Sequence, residues 1–441
     1  MKEILKYINR ILFVALVGGS LFAVFPFFMD SVITSKWIFT IILVGIICIT
    51  LGIELLCERT LISCDVNFLF IIIVLCTTIQ AVYALSCYCL GMTSIKGSFD
   101  NPLGLVSCIC FAFPFALMLL EKATSRIAKF LCLMAIVIIL LTVFVSSLRC
   151  GILAIVTVGF MQLYMLYKKK VIIYVGILVF SLTCFISLCI KQDSTQGRIL
   201  IWNCSLEMIK DAPFSGYGSK GFDAHYMDYQ ANYFQRYPLS KYAQLADNTR
   251  RPFNEFLNLS IKYGIGSVLL LVGLMCVLAY SYKRYPSKNA FACILSLISI
   301  AVFSAFSYPF EYPFTWIISA LCVIILLIPM VRQKLSLRVI PLILFVFSGT
   351  ILIRTYKKVS SEIYWYLANK CSGQESLNEF YRLYPYQKTN AFFLYNYAAV
   401  LYKYGENKKA LSVAGYCRKY LLADYDLELL MANLYKSEKN T

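Results

Sequence analysis

Eleven apolar runs dominate this chain, and each has about the length that one helical crossing of a hydrocarbon layer requires, roughly 20 residues. They fall at about 11–28, 37–57, 66–90, 103–120, 128–147, 151–167, 171–190, 257–281, 289–306, 314–331 and 337–353. Within a bilayer every backbone N–H and C=O must be satisfied by the protein itself, which restricts long apolar runs to helices. A mean hydropathy of +0.72, with 60% hydrophobic and 15% charged residues, excludes an ordinary soluble domain. The expected fold class is therefore all-α: a polytopic membrane helix bundle of about eleven transmembrane helices, with a large extracytoplasmic loop and a short helical-repeat C-terminal domain. The first run lacks a small-residue cleavage site and reads as a membrane helix rather than a signal peptide.

Basic residues in the short loops set the orientation. With the N-terminus inside, Lys2, Lys6, Arg10, Arg59, Lys122, Arg126, Lys129, Lys168, Lys169 and Lys170 are cytoplasmic, and so are Lys283, Arg284, Lys288, Arg332, Lys334 and Arg338. The short outer loops then hold only Lys36, Lys96 and Arg149. The expected localisation is the bacterial inner membrane, multi-pass, with the N-terminus cytoplasmic and the C-terminus extracytoplasmic. The net charge of +18 is largely this topology signal, which argues against a nucleic-acid partner.

The 18 cysteines lie mostly inside the apolar runs, where the residue acts as a small hydrophobe. Cys87-x-Cys89 and Cys108-x-Cys110 are too closely spaced for a zinc pair, so no metal and no cofactor is expected. A Cys371–Cys417 bridge is one option for the tail.

Four segments follow: an N-terminal transmembrane bundle (1–190), a large outer loop carrying the candidate site (191–256), C-terminal transmembrane helices (257–353) and an outer helical tail (354–441). In the tail, Leu394-x-x-Tyr397-Ala398-x-x-Leu401-x-x-x-Gly405-x-x-x-x-Ala410 has the spacing of one tetratricopeptide helix pair, and 426–436 reads as a further helix. A single pair cannot bury its own face, so it packs on the rest of the protein or on a protein partner. An amphipathic hairpin that merely caps the bundle is the other reading.

The polar, tyrosine-rich insert from Lys191 to Asn254 holds the sole histidine, His225, and the arginines Arg198, Arg236, Arg250 and Arg251. Residues 195–210 read as an amphipathic helix in which Ile199, Trp202, Leu206 and Ile209 follow the helical period; Asp211-Ala212-Pro213 ends it. Gly216-Tyr217-Gly218-Ser219-Lys220-Gly221 formally matches a dinucleotide motif, but no strand precedes it, and a glycine-permitted turn is the better reading. Arg149, at the edge of a membrane helix, either faces the bundle interior or snorkels to the headgroups. Several arginines meeting in one cavity suit a phosphate or pyrophosphate, because guanidinium donates in pairs and keeps its charge. Asp100-Asn101-Pro102 has the form of a turn and helix start. Asn254 and Glu255 either cap the eighth span, or Glu255 supplies a base for a sugar hydroxyl while an arginine holds the donor. The tyrosines and Trp202 offer stacking faces for sugars, or anchor at the headgroups.

The order of these pieces resembles the O-antigen ligase and polymerase superfamily: Gly97 to Pro102, Ser146 to Leu153, Gly197-Arg198 with Trp202, then Asp211 to Gly218, and finally Asn254 to Leu257 with Tyr263 to Gly266. The resemblance is clear over roughly 90–270, and the tail is similar to the tetratricopeptide-like tails of some members. It implies a metal-independent glycosyltransferase that moves a glycan from undecaprenyl pyrophosphate to a sugar, a lipid A core or a protein hydroxyl. On that reading the lipid-linked glycan, the glycan acceptor and the bilayer are its partners. The family's donor-binding arginines match Arg149 and Arg198, with Arg250 beside them. Trp202, Tyr217, Asn254 and Asn101 are the expected substrate contacts, and Glu255, Arg251 and His225 the catalytic candidates. Members commonly carry histidine just before the Asn-Glu pair, where this chain has Arg251, Pro252 and Phe253. The base therefore falls to Glu255 or His225, or Arg251 makes one unnecessary. The competing readings are a non-catalytic scaffold of glycan assembly and a transporter of lipid-linked glycan; the second would require charge near the span centres, which these runs almost lack.

Overall fold

The computed structural model describes residues 2–58, 65–190, 192–331, 339–371 and 373–439. Arg59, Lys191, Arg332, Lys334 and Arg338 lie outside the described residues. Before the loop come α1 (Lys2–Phe22), α2 (Ile33–Glu58), α3 (Val66–Cys89), α4 (Pro102–Lys122), α5 (Arg126–Ser146), α6 (Arg149–Tyr167) and α7 (Lys170–Ile190). The loop contributes α8 (Gln192–Asp211), α9 (Gly221–Arg236) and α10 (Glu255–Tyr263). Then come α11 (Ile265–Arg284), α12 (Lys288–Ser304), α13 (Pro313–Val331) and α14 (Ile340–Lys370). The tail consists of α15 (Gln374–Gln387), α16 (Ala391–Lys403), α17 (Asn407–Cys417) and α18 (Tyr425–Lys439).

Among the described residues nine helices are long and apolar enough to cross a membrane, and Lys170–Phe185 and Lys288–Ser304 are shorter apolar helices. Together they correspond to the eleven apolar runs, and the chain is a polytopic helical membrane protein without strands among its described residues. Several boundaries differ from the sequence reading. The first helix spans Lys2–Phe22 rather than 11–28, so Lys6 and Arg10 lie within it. The eighth run does not begin a span at 257, because Gly264, at φ +76°, separates α10 from α11. Nor does helix end at Ile353: α14 continues to Lys370. Hydropathy registers apolar length but not helical continuity.

The chain forms two compact units. The first contains Met1–Pro26, Asp30–Ser187 and Gly273–Lys358. Its centre is α4, buried almost continuously from Leu103 to Ala116 and packed by α3, α5, α6, α12 and α13. Enclosure on every side explains why α4 is apolar all round. Pro114 sits inside this helix and has no N–H to give the Cys110 carbonyl one turn earlier. Two serines of α12 repair the ladder: Ser299 Oγ donates to the Cys110 carbonyl at 3.1 Å and Ser296 Oγ to that of Phe111 at 2.8 Å. Farther along the bundle, Ser348 Oγ donates to the Gly45 carbonyl at 2.8 Å. A Cβ on Gly45 would stand 2.8 Å from Leu352, so the missing side chain lets α2 and α14 meet closely.

Lys36 corrects the sequence reading. It belongs to the start of α2 rather than to a loop, and it is fully buried. Its ammonium donates to the Leu21 carbonyl at 2.6 Å, the Ala23 carbonyl at 3.3 Å and Ser98 Oγ at 3.3 Å, and it lies 4.8 Å from the Phe99 ring centroid. Those acceptors are the frayed end of α1 and the turn before α4, which replace the water a buried ammonium would lose.

The second unit contains Phe27–Met29, Leu188–Val272 and Val359–Thr441. One core joins Leu200, Cys204 and Met208 of α8 to Phe222 and Tyr226 of α9 and Ile261 of α10. The other fills the tail, where Phe380, Phe393 and Tyr397 stack beside Ala398, Ala410 and Leu427. The repeat-like spacing from Leu394 to Ala410 forms α16 and the start of α17, and 426–436 lies within α18. Cys371 and Cys417 are free thiols rather than a bridge; Cys417 is buried, with its sulfur donating to the Ala391 carbonyl at 3.3 Å.

The repair of α4 is testable. Ser299→Ala in the full chain should lower stability by about 0.5–2 kcal/mol, the usual range for one interhelical hydrogen bond in a membrane, while Ser299→Thr retains the hydroxyl. Thermal unfolding in detergent gives the answer; an unchanged midpoint for Ser299→Ala would show that Pro114 leaves no deficit.

Candidate functional site

Helix α8 orients the loop. Leu200, Cys204 and Met208 recur every four residues and face the core with Ile209, whereas Ile199 and Leu206 are exposed. The apolar stripe is thus turned by about one position from the Ile199-Trp202-Leu206-Ile209 reading. Cys204 and Met208 are buried against Phe222 and Tyr226 of α9 as small and adaptable apolar groups. Arg198 and Trp202, one turn apart on α8, are half-buried and reach the segment before α10.

That segment, Arg250 to Asn254, is held at every residue. Trp202 Nε1 donates to the Pro252 carbonyl at 2.8 Å. The Arg198 guanidinium lies 5.2 Å from the centroid of Phe253, which adopts a φ of +51°. Left-handed backbone is costly for a bulky residue, so packing against α8 offsets strain at this point. Thr249 Oγ1 donates to the Arg251 carbonyl at 3.2 Å, and the Arg250 guanidinium carbon stacks 4.1 Å from the Phe392 ring centroid. Asn254 caps α10, accepting from the N–H groups of Phe256 at 2.9 Å and Leu257 at 3.1 Å. Glu255 begins the helix, where its positive end favours a carboxylate, and its Oε2 accepts from Asn258 Nδ2 at 3.0 Å.

The Gly216–Gly221 segment is a turn, as its glycines suggested. Tyr217 and Gly218 donate their N–H groups to the carbonyls of Ile261 and Lys262 at 2.8 and 3.0 Å, and Ile265 donates to that of Pro213 at 2.7 Å. Gly216 has a φ of +62°, and a Cβ there would stand 2.6 Å from the Lys262 backbone. The turn locks onto the end of α10, and its Tyr217 and Gly218 amides are spent on that contact.

Tyrosines surround His225. The Tyr217 ring lies 4.7 Å from the imidazole, and the Tyr217 hydroxyl is 2.6 Å from that of Tyr229, which donates to Asp211 Oδ2 at 2.5 Å. Burial, then the bonds to Asp211 and Tyr217, raise the Tyr229 hydroxyl above its usual range. Burial lowers the His225 imidazole against the opposing charge of Asp228.

One group went unmarked in the sequence. Asp223, in the first turn of α9, is exposed and has Arg251, Lys262, Arg250 and Lys220 as charged neighbours. The surrounding protein bulk raises its carboxyl, and the four cations oppose the rise. In sequence Asp223 is only another first-turn acid, and its neighbours come from α10 and the segment before it.

The structure therefore brings together Arg198, Trp202, Arg250, Arg251, Asn254 and Glu255 in the second unit, with Tyr217 and His225 across the same small core. Arg149 and Asn101 belong to the first. Arg149 is half-buried and opens α6 after a left-handed Ser147, whereas Asn101 caps α4 through the N–H groups of Leu103 and Gly104. Its amide also donates to Asp100 Oδ2 at 2.8 Å, and Asp100 Oδ1 accepts from Tyr312 at 2.8 Å.

Because His225 is the sole histidine, isotope-edited NMR reads its titration without assignment. The expected midpoint lies below the 6.5 of an unperturbed imidazole, leaving a neutral ring at pH 7. A midpoint above 6.5 would mean that Asp228, rather than burial, governs the ring.

No curated protein matches the chain significantly. Residues 134–272 match the Wzy_C family model, described as O-Antigen ligase. The match runs from within α5 into α11 and includes the α8 clip, the Arg250–Asn254 segment and the turn beneath it. Over this segment the chain is similar to the O-antigen ligase family.

Proposed function

We propose that the protein is an inner-membrane glycosyltransferase of the ligase or polymerase type, which moves a glycan from undecaprenyl pyrophosphate to an acceptor hydroxyl. The observation that carries this reading is the fixed Arg250–Asn254 segment, which carries Arg250 and Arg251 and is contacted by Trp202 and Arg198, all within the family-matched region. The positive-inside count supports an N-terminus in the cytoplasm and a loop and tail outside it, where a translocated lipid-linked glycan would arrive.

In the reaction an oxygen of the acceptor hydroxyl bonds to the anomeric carbon as the bond from that carbon to the pyrophosphate oxygen breaks. The bonding pair leaves with the lipid pyrophosphate, and Arg198, Arg250 and Arg251 meet the charge that develops there. Arginines suited to both phosphates supply this positive charge without a metal. The family resemblance also implies a donor-binding role for Arg149, which belongs to the first unit. The acceptor proton passes to Glu255, the carboxylate next to the arginine segment. Trp202 supports the segment from below, and Tyr217 with its neighbouring tyrosines offers ring faces to sugars.

Arg198→Ala and Arg251→Ala, made singly, should each reduce glycan transfer by roughly 100-fold, the scale seen when one transition-state charge donor is removed. Surface-glycan length and attachment report the effect in cells. A deletion strain separates the two acceptor classes: single-repeat glycans indicate a polymerase, whereas unattached full-length chains indicate a ligase. Undiminished glycan in both arginine variants would exclude the donor-clamp reading.

A further inference from the structure

The family match stops at residue 272, yet the tail after it is built into the loop's cation cluster. Leu422 donates its N–H to the Ala224 carbonyl at 3.0 Å, next to Asp223. Lys220 Nζ donates to the Thr389 carbonyl at 2.6 Å and lies 5.6 Å from the Tyr420 ring centroid. Asn248 Nδ2 donates to Asp424 Oδ2 at 2.9 Å. Arg250 stacks on Phe392, 4.1 Å from its ring centroid. These contacts come from the start of α16 and the segment between α17 and α18, and they reach the start of α9 and residues 248–250. Two of the four cations that surround Asp223 are thus seated on rings that the tail supplies.

The energetics favour a purpose beyond covering the loop. Phe392 is 46% exposed and contributes little to the tail's own core, which Phe393 fills at 0%. A guanidinium stacked on a ring keeps its N–H donors in its own plane, parallel to the ring and directed outward, where an anion can meet them. The four cations outnumber the carboxylates Asp223 and Asp424 beside them, which suits a group with several negative oxygens.

We propose that the tail is a positioning element of the donor site: Phe392 and Tyr420 seat Arg250 and Lys220 around Asp223, so that the pyrophosphate of a polyprenyl donor meets cations already in place. The proposal rests on the donor reading given above and adds Lys220, Phe392 and Tyr420 to the groups that act on that donor. Phe392 and Tyr420 act through the cations and do not touch the reacting atoms. A lid made only to shield the loop would need apolar cover, not ring faces turned to two cations. Preordering long basic side chains reduces the entropy lost when the anion binds.

The test uses the purified full chain in detergent, with farnesyl pyrophosphate as a short-chain donor probe. Phe392→Ala should weaken binding roughly 3- to 10-fold, the scale of a cation–ring contact, and Phe392→Trp, which keeps a ring face, should bind like the parent. The thermal midpoint is followed for each variant, so that loss of the fold is seen separately. Unchanged affinity in Phe392→Ala would overturn the proposal, and so would equal weakening in the Ala and Trp variants, because packing rather than ring stacking would then be responsible. Arg198→Ala separates the two levels of the argument. If it abolishes probe binding while Phe392→Ala does not alter it, the donor reading stands and the tail's role falls; if Arg198→Ala binds normally, the donor reading falls first.

Discussion

The hydrogen bond from Trp202 Nε1 to the Pro252 carbonyl organises the loop. Pro252 has no N–H, so its peptide cannot be anchored from the donor side, and its carbonyl is left as the only handle. Pro252 is itself buried, where an unpaired carbonyl would be expensive. Once that carbonyl is gripped by α8, Arg251 and Phe253 are fixed on either side, and Phe253 is driven into left-handed backbone under Arg198. Asn254 can then cap α10, whose end in turn receives the Gly216–Gly218 turn. Each later contact depends on this short chain staying in place.

The two units solve opposite problems. The membrane unit must satisfy polar backbone without water, and it does so with small hydroxyls and one buried ammonium. Ser296 and Ser299 serve the carbonyls around Pro114, and Lys36 gathers the end of α1 with the turn before α4. The second unit must hold cations near one another despite their repulsion. It does so by placing Asp223 among them and by resting Arg250, Arg198 and Lys220 on aromatic rings. The abundance of tyrosine and phenylalanine in this region follows from that need as much as from any sugar chemistry.

Much of this was legible in the sequence. The apolar runs mark the spans because hydrocarbon thickness imposes their length. Asn101 and Asn254 announce helix starts through local chemistry, and both cap as expected. Arg198 and Trp202 stood out through their spacing on α8. Other features were hidden for identifiable reasons. The break at Gly264 depends on a distant turn occupying the space a side chain would need. Lys36 resembled a loop cation because nothing local shows that carbonyls from α1 will surround it. The Arg250–Phe392 contact joins residues far apart in the chain, and no periodicity connects them. The Asp223 cluster was missed for the same reason.

A cryo-electron microscopy structure of the full chain with a non-transferable polyprenyl-pyrophosphate glycan would test the central claim most directly. The account predicts pyrophosphate density against Arg198, Arg250 and Arg251, with the Trp202–Pro252 bond and the Phe392 stack intact. Pyrophosphate density elsewhere, with these arginines unengaged, would contradict it.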